Sequence, residues 1–452
     1  MKNLTLKVAV VTAGIITATY LLGANSEGSV RRSIAAPKGA TGIAPVVASA
    51  NAATTLNSTL DDIDRLIRDT ETQIGKTPTS SGLDLLARLL LSRGRITGDA
   101  ASYANAEVAA TRSLAIAPRN PEAQTIHSEV LYANHEFAEA GATSRAIFEA
   151  DPLQVGALAV LGDSLRELGD YVGAGSVIDR LDKLAPGSPS VVVRRARLQV
   201  LNGQPELAAS TARRAEAAAE DSGLLGPTLA FYSSFRGQIA YDSGDYKAAL
   251  QHYDAALGLA DGDRVASYGK ARTLAALGRL GEARLLLREL TDRYPDPASL
   301  ALLEDVYSAT GDRAAAEQTG GIVEAVAGIA RSNQQIYNRE LALYYANHDR
   351  NLPEALRLAR AEILKRKDVY AYDTLAWAEY KSGNIPLAVE AAERALATGI
   401  RDASVLYHSG MIAIADRNNP RGAKLLAGAL QLSPAFDIRQ APIARAALAK
   451  VR

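Results

Sequence analysis

The stretch LAVLGDSLRELGDYVGAGSVIDRLDKLAP, residues 158–186, decides the fold. Its first half carries leucines at helical spacing, Leu158, Leu161 and Leu165. Gly169 then stops this helix, because glycine adopts the left-handed conformation that closes a helix end. Asp170 follows as the cap of a second helix, which Pro186 ends. The stretch therefore predicts two short helices joined by a tight turn.

Small residues predict that the two helices run antiparallel and close together. Gly162 lies in the first helix and Ala174 in the second, where bulkier side chains would hold the helices apart. A single hairpin of this size cannot bury its apolar face, so it must stack on neighbouring hairpins. The sequence therefore predicts a helical array rather than a compact two-helix unit.

The motif Gly-Asp-Tyr occurs twice, at 169–171 and 244–246, and both copies belong to a repeat with a period near 34 residues. Glycines at the predicted turns share one phase: Gly169, Gly203, Gly244 (after seven extra residues), Gly278, Gly311 and Gly383. Small residues of the second helices share another: Ala106, Ala140, Ala174, Ala208, Ala249, Ala283, Ala316, Ala355, Ala388 and Ala423. Prolines recur near the unit ends, and three residue types in one phase indicate a genuine repeat.

Residues 158–186 resemble a tetratricopeptide repeat (TPR), and so does YDTLAWAEYKSGNIPLAVEAAERAL, residues 372–396. About ten such units fit between residues 87 and 436. The resemblance implies an all-α protein, an α-solenoid that forms a right-handed superhelix. It also implies that the first helix of each unit lines the concave face, and that the protein binds proteins or peptides there.

The composition excludes several classes of protein. The chain has 452 residues, with 50 basic and 50 acidic side chains, so it has no overall attraction for nucleic acid. It has no cysteine, which excludes disulfides, thiolate metal sites and a cysteine nucleophile.

The N-terminal residues predict export. Residues 1–24 combine two lysines with an apolar run over 8–24, which is typical of a signal peptide or an N-terminal membrane anchor. Residues 25–54 are rich in Ala, Gly, Ser and Pro and indicate a flexible tether. Capping helices are expected over 55–86, the repeat array over 87–436, and a final capping helix over 437–452. The predicted location is periplasmic, extracellular or membrane-anchored.

We find no motif for catalysis, a cofactor or a metal. The sequence has no phosphate-binding glycine loop, HExxH, nucleophile elbow or EF-hand spacing. His127 and His135 lie near a predicted turn and are interpreted as surface residues. Asp261-Gly262-Asp263 is interpreted as a plain turn. A non-enzymatic protein without cofactors is predicted, although two converging carboxylates in the groove would revive an enzyme.

Tyrosines concentrate in the second half of the chain and predict a binding surface on the concave face after residue 230. Tyr, Trp and Arg contribute strongly to binding energy when an interface desolvates them. The predicted contact residues are Tyr241, Tyr268, Arg272, Tyr337, Tyr344, Asn347, Tyr370, Asp373, Trp377, Tyr380 and Tyr407, with Arg197 and Met411 on the same face. The expected ligand is an extended peptide or a helix.

Three alternatives stay open at this point. Each tyrosine can instead be a half-buried filler of the thin solenoid core. The chain can also be a structural spacer that assembles an envelope complex through convex surfaces and its termini. The arginines Arg194, Arg195, Arg197, Arg213 and Arg214 can dock an anionic segment, but a solvated face balanced by Glu216 and Glu220 is the favoured interpretation.

Overall fold

The computed structural model describes residues 60–332 and 338–451. These residues form 22 α-helices and no strand. The helices are α1 (Leu60–Lys76), α2 (Ser80–Thr97), α3 (Ala100–Ile116), α4 (Pro121–Ala133), α5 (Phe137–Ala150), α6 (Val155–Glu167), α7 (Tyr171–Leu184), α8 (Pro189–Leu201), α9 (Pro205–Asp221), α10 (Gly226–Asp242), α11 (Tyr246–Leu259), α12 (Arg264–Ala276), α13 (Leu280–Arg293), α14 (Pro297–Ala309), α15 (Arg313–Ser332), α16 (Asn338–Asn347), α17 (Leu352–Lys365), α18 (Val369–Lys381), α19 (Ile385–Leu396), α20 (Ala403–Ala415), α21 (Asn419–Leu432) and α22 (Gln440–Val451). The expected all-α solenoid is confirmed.

The helices pair into ten antiparallel hairpins, from α2–α3 to α20–α21, with α1 before them and α22 after them. The expected array boundary between residues 86 and 87 is wrong, because it falls inside α2, which begins at Ser80. The expected signal or anchor segment and the tether lie outside the described residues. Within the described ranges, no helix is both long enough and apolar enough to cross a bilayer.

The turn between the two helices of a hairpin is closed by a residue with positive φ. In the α6–α7 turn this residue is Gly169 (φ 78°), and the next amide, of Asp170, donates to the carbonyl of Leu165. The Asp170 carboxylate then accepts from the amide of Gly173 at 2.8 Å. Seven turns are closed by glycine (Gly98, Gly169, Gly203, Gly244, Gly278, Gly311 and Gly383), and three by a residue with a Cβ (His135, Asp349 and Arg417). Those three bear the strain of a left-handed conformation, about 1–2 kcal/mol each.

Close helix packing within each hairpin depends on small side chains. A Cβ on Gly162 would lie 2.9 Å from Cγ1 of Val177 on the facing helix. The alanines in phase with Ala174 on the second helices are almost all fully buried: Ala106, Ala140, Ala174, Ala208, Ala249, Ala283, Ala355 and Ala388. Larger side chains at these positions would force the helices apart.

The seven extra residues before Gly244 lengthen two helices. The preceding second helix, α9, and the first helix α10 each have 17 residues. In the hairpin that contains residues 158–186, α6 has 13 residues and α7 has 14. The inserted residues therefore add about one turn to each of these two helices, and the hairpin pattern is unchanged.

The array curves with its first helices on the inside. Neighbouring first helices pack against each other through much of the array, whereas neighbouring second helices are splayed apart. In a curved stack the inner surface has the closer spacing, so the first helices line the concave face. This agrees with what the resemblance implies.

The curvature brings distant parts of the chain into contact along a line that we call the seam. On one side lie the turns at residues 135–136, 169–171, 203–206 and 243–246, and on the other lie the connections at residues 365–369, 399–401 and 432–436. The contacts of the turns at 169–171, 203–206 and 243–246 each reach the connection about five and a half hairpins further along the chain, and the contact of Glu136 with Lys365 spans one hairpin more. Successive turns of the superhelix therefore touch.

The two Gly-Asp-Tyr motifs lie at the seam, where they have a role besides closing a helix. The Tyr171 hydroxyl accepts from the amide of Val369 at 2.9 Å, and the Tyr246 hydroxyl accepts from the amide of Ala435 at 2.8 Å. The Lys367 amide donates to the carbonyl of Glu167 at 2.9 Å. Each tyrosine thus satisfies a backbone donor of the next superhelical turn.

Ion pairs also cross the seam. Lys365 pairs with Glu136 at 2.5 Å, and Arg401 pairs with Glu206 at 2.9 Å. The buried pair is Arg366 with Glu167, at 2.9 Å. Burial alone would raise the pKa of Glu167, but the guanidinium groups of Arg366 and Arg166 lower this pKa to about 2. Glu167 is therefore ionised at neutral pH, and its charge is compensated within the seam.

Candidate functional site

The concave face of the second half of the array is the candidate binding site, and the structure buries much of it. Of the predicted contact residues, Tyr241, Tyr344, Asp373, Trp377 and Tyr407 are at most 5% exposed. Five others are partly exposed: Tyr268, Arg272, Asn347, Tyr370 and Tyr380. Tyr337 lies outside the described residues. In this conformation only the partly exposed residues can contact a partner directly.

Trp377 is held in a polar and aromatic network between neighbouring first helices. Its indole N–H donates to Oδ1 of Asn347 at 2.8 Å. One ring face stacks on His408, with centroids 4.2 Å apart, and Tyr380 stacks at 5.0 Å. The Asp373 carboxylate in turn lies 3.0 Å from Nδ1 of His408. For Trp377 the packing interpretation is therefore the one that this conformation supports.

Tyr344 belongs to the same hydrophobic cluster as Trp377 but makes separate polar contacts. Its hydroxyl donates to the Glu304 carboxylate at 2.9 Å and accepts from Arg350 at 2.5 Å. Burial, together with the neighbouring Glu304, raises the pKa of Tyr344. Glu304 is 3% exposed, and its contacts with this tyrosine and arginine compensate its burial.

Arg272 is a partly exposed side chain of the concave face whose guanidinium is held by aromatic rings. Its guanidinium lies 3.8 Å from the ring centroid of Tyr241 and 5.9 Å from that of Tyr268. One nitrogen donates to Gln238 at 3.0 Å, and the Asp242 carboxylate is 3.9 Å away. Burial raises the pKa of Asp242 to about 6, although Arg272 opposes the shift. The aromatic rings fix the guanidinium in place, which lowers the entropy cost of binding an acceptor.

The connection between α21 and α22 enters this concave face. We call residues 433–440 the C-terminal segment. The Tyr241 hydroxyl donates to the carbonyl of Phe436 at 2.8 Å. The Phe436 ring is 5% exposed and lies 5.6 Å from the ring of Tyr407. Ile438 packs against an apolar cluster formed by α12, α13 and α14.

The last residues of the C-terminal segment contact further first helices. Arg439 donates through Nε to the carbonyl of Asn347 at 3.0 Å, and its Nη1 lies 3.5 Å from the Asp305 carboxylate. Gln440 donates to Oδ1 of Asn347 at 2.6 Å and lies 3.4 Å from Nε2 of His408. Asn347 thus bridges Trp377 and the C-terminal segment.

Sequence reasoning missed the contribution of the C-terminal segment to this site. It treated the residues after 436 as a simple cap, although one signal was available. Seven residues join Leu432 to Gln440, the longest connection between described helices. A connection of this length has room to fold into the superhelix rather than only to reverse the chain.

The arginine patch on α8 and α9 differs from the expected solvated face. Arg194 is 2% exposed and forms a buried ion pair with Asp163 at 2.8 Å. Arg197 is 8% exposed and lies 5.2 Å from the ring centroid of Phe235. Only the other members of the patch reach solvent, since Arg195, Arg213 and Arg214 are partly or fully exposed. The expectation was wrong for the two buried arginines because Asp163 of α6 pairs with Arg194 and the Phe235 ring of α10 packs against Arg197.

The surface location expected for His135 is also wrong. This residue is 6% exposed and stacks on Phe137, with ring centroids 5.4 Å apart. Burial, with the positive charge of Arg366 nearby, lowers the pKa of His135 to about 3. The imidazole is therefore neutral at physiological pH and is part of the packing at the seam.

The fold and its concave face define an α-solenoid of helical hairpins, and the comparisons with known proteins specify the hairpin type. One tetratricopeptide repeat model matches residues 240–306, and another matches residues 127–189 and 374–435. These parts of the chain are tetratricopeptide repeats, as the resemblance predicted. Proteins with such repeats generally mediate protein–protein interactions and are generally not enzymes. No curated protein matches the chain.

Several solved structures resemble this one. A monomeric mutant of IFIT1 in complex with Gppp-AAAA is 11% identical, with a TM-score of 0.47, over 94% of this chain and 96% of that one. PilW, a type IV pilus biogenesis factor, is 18% identical with a TM-score of 0.40, over 45% and 92%. A thermophilic TPR protein of Thermus thermophilus is 19% identical with a TM-score of 0.35, over 40% and 91%. At these identities and TM-scores, no functional property is transferred to this chain.

Proposed function

We propose that this protein is a non-enzymatic scaffold that binds a protein or peptide partner on the concave face of hairpins α10–α11 to α20–α21. The observation that carries the proposal is the pair of Tyr268 and Arg272, which remains partly exposed and lies side by side on a face where Tyr241, Tyr344, Trp377 and Tyr407 are buried. A guanidinium held over aromatic rings suits a carboxylate or backbone carbonyl of a peptide. Binding would then desolvate residue types that contribute strongly to interface energy.

We further propose that the protein acts outside the cytoplasm. The apolar run at residues 8–24 after two lysines supports export, and the tether at 25–54 would let the array reach a partner at a distance from a membrane. Fractionation of the host cells, with the full chain and a variant that lacks residues 1–24, tests this part. Equal cytoplasmic recovery of both forms would refute it.

Site-specific photocrosslinking in the native host tests the binding proposal. One probe replaces Tyr268 on the concave face, and a matched probe replaces Glu390, which is exposed on the second helix α19. We expect a discrete partner to be captured from position 268 and not from position 390. Trp377 is a poorer probe site because its side chain is only 3% exposed.

The opposite pattern would favour the structural spacer. Capture from position 390 alone, or crosslinks only between copies of the chain, would show that the convex surface makes the contacts. A further check uses Arg272→Ala in the background of the Tyr268 probe, because loss of the guanidinium should reduce the capture. Unchanged capture in this variant would contradict the assigned role of Arg272.

A further inference from the structure

The C-terminal segment occupies the concave face in the way that a bound peptide would. Between Phe436 and Gln440, four of the five residues contact elements from α10 to α20 that are far apart in the sequence. The contacts combine a backbone carbonyl that accepts a side-chain hydrogen bond, two apolar anchors and two polar side chains. This mixture is typical of peptide recognition, in which main-chain bonds supply affinity and side-chain contacts supply specificity.

Three residues of the predicted partner site contact this segment directly. Tyr241 binds the Phe436 carbonyl, Tyr407 packs on the Phe436 ring, and Asn347 binds Arg439 and Gln440. The burial of Tyr241 and Tyr407 is therefore partly a consequence of occupancy by the chain itself. Three of the eleven residues chosen from the sequence for binding a foreign peptide thus bind an internal one.

We propose that residues 436–440, Phe-Asp-Ile-Arg-Gln, are an intramolecular ligand of the concave face, and that a partner peptide of the same chemistry displaces them. Such a partner segment carries an aromatic residue, an aliphatic residue two positions after it and an arginine three positions after it. The inference rests on the proposed function, because it names the kind of partner that the same site takes.

The segment is anchored at the seam before Phe436 and by α22 after it, where Ala441 and Ala444 are buried in the same apolar cluster as Phe436. Ser433 and Ala435 are held at the seam by Tyr246, at 2.8 Å each. Beyond them, Arg439 is only partly buried, with 34% of its side chain exposed. Displacement of residues 436–440 therefore leaves the contacts of Tyr246 in place and requires α22 to move with the segment.

Attachment to the chain makes the internal segment a strong competitor. A ligand joined by a short linker has an effective concentration on the order of millimolar. A free peptide of equal intrinsic affinity must exceed that concentration to replace it. Weakening the internal segment should therefore reveal a site that the wild-type chain conceals.

The test uses the full chain and a labelled peptide with the sequence SPAFDIRQA, residues 433–441. The variant is Phe436→Ala combined with Arg439→Ala, and the control is Lys450→Ala, an exposed residue of α22. Fluorescence anisotropy measures how tightly the labelled peptide binds to each protein, and a scrambled peptide serves as the control for non-specific binding. We expect the double variant to bind SPAFDIRQA at least about tenfold more tightly than the wild type and the control do.

Trp377 provides a second readout in the same samples. It is the only tryptophan, and it contacts the segment through Asn347. Acrylamide quenching of its emission should increase in the double variant and fall again when the peptide is added. Acrylamide should quench the emission of the Lys450→Ala control to the same extent as that of the wild type.

Equal peptide affinity for the wild type and the folded double variant would overturn the inference, as would equal binding of the scrambled peptide. If the double variant does not fold, Arg439→Ala alone replaces it, because this side chain is partly exposed and its loss creates no large cavity. Equal peptide affinity for the wild type and Arg439→Ala, or equal binding of the scrambled peptide, would then overturn the inference.

Failure of this inference and failure of the proposed function are distinguishable. The peptide experiment involves no partner, whereas the crosslinking from position 268 detects only a partner. Peptide binding without partner capture would keep the internal ligand and refute the scaffold. If the partner is captured, but not more strongly in Arg439→Ala than in the wild type, the proposed scaffold function stands. Competition by the C-terminal segment is then refuted.

Discussion

Gly169→Ala tests whether the Gly-Asp-Tyr turn acts only within its hairpin or also at the seam. The matched control is Gly383→Ala, because both residues are left-handed, with φ 78° and 84°. A Cβ at Gly383 would meet no atom within 4 Å, whereas a Cβ at Gly169 would overlap the carbonyl oxygen of Lys367. The control therefore measures backbone strain alone, about 1–2 kcal/mol.

The extra loss at Gly169 follows from the contacts around Lys367. The connection at 365–369 must move away from the new Cβ, which breaks the hydrogen bonds from Lys367 to Glu167 and from Val369 to Tyr171. At about 1 kcal/mol for each bond, the variant should lose about 2 kcal/mol more than the control.

Urea unfolding followed by circular dichroism measures the difference, and amide exchange at the same two bonds localises it. We expect the amides of Lys367 and Val369 to exchange faster in Gly169→Ala and at the wild-type rate in Gly383→Ala. Equal stability losses, within about 0.5 kcal/mol, together with unchanged exchange would refute a seam at this turn.

For three further substitutions, the structure determines the direction in which stability, or its dependence on pH, should change. The folded pKa of His135 is about 3, below the ordinary value of 6.5, so the unfolded chain binds more protons between these pH values and stability falls as the pH is lowered. His135→Asn keeps a residue that tolerates positive φ and should reduce this slope, which is at most about 1.4 kcal/mol per pH unit, in urea titrations at pH 4, 5 and 6. Asp163→Ala removes one charge of the buried pair with Arg194 and should cost about 3–5 kcal/mol in urea unfolding; a loss below 1 kcal/mol would show that the pair is dispensable. Arg417→Gly relieves a strained exposed turn and should add about 1 kcal/mol, so an unchanged midpoint of unfolding would contradict the strain.

The closed seam changes how this solenoid should respond to perturbation. An open array interacts only between neighbouring hairpins, so its stability is a sum of local terms. Here Glu167 and Arg366 couple residues 199 positions apart, in a buried pair. Unfolding of the first hairpins should therefore be more cooperative with the last ones than in an open array.

The sequence by itself determined the hairpins, because their causes are local. Gly169 can take a left-handed turn, Asp170 can cap a helix, and Gly162 and Ala174 can let two helices approach, whatever the rest of the chain does. A period of about 34 residues then repeats these causes often enough to identify the repeat.

Only the tertiary structure decided which concave residues are available. The small rotation between hairpins accumulates over the array, and no short motif specifies where the next superhelical turn arrives. Tyr171 therefore looked like a plain hinge residue, although its hydroxyl joins two superhelical turns. Trp377 looked like a contact residue, although Asn347 and His408 enclose it. The occupant of the site, around Phe436, was likewise determined by how the chain closes on itself, since contacts across about 195 residues depend on the summed curvature.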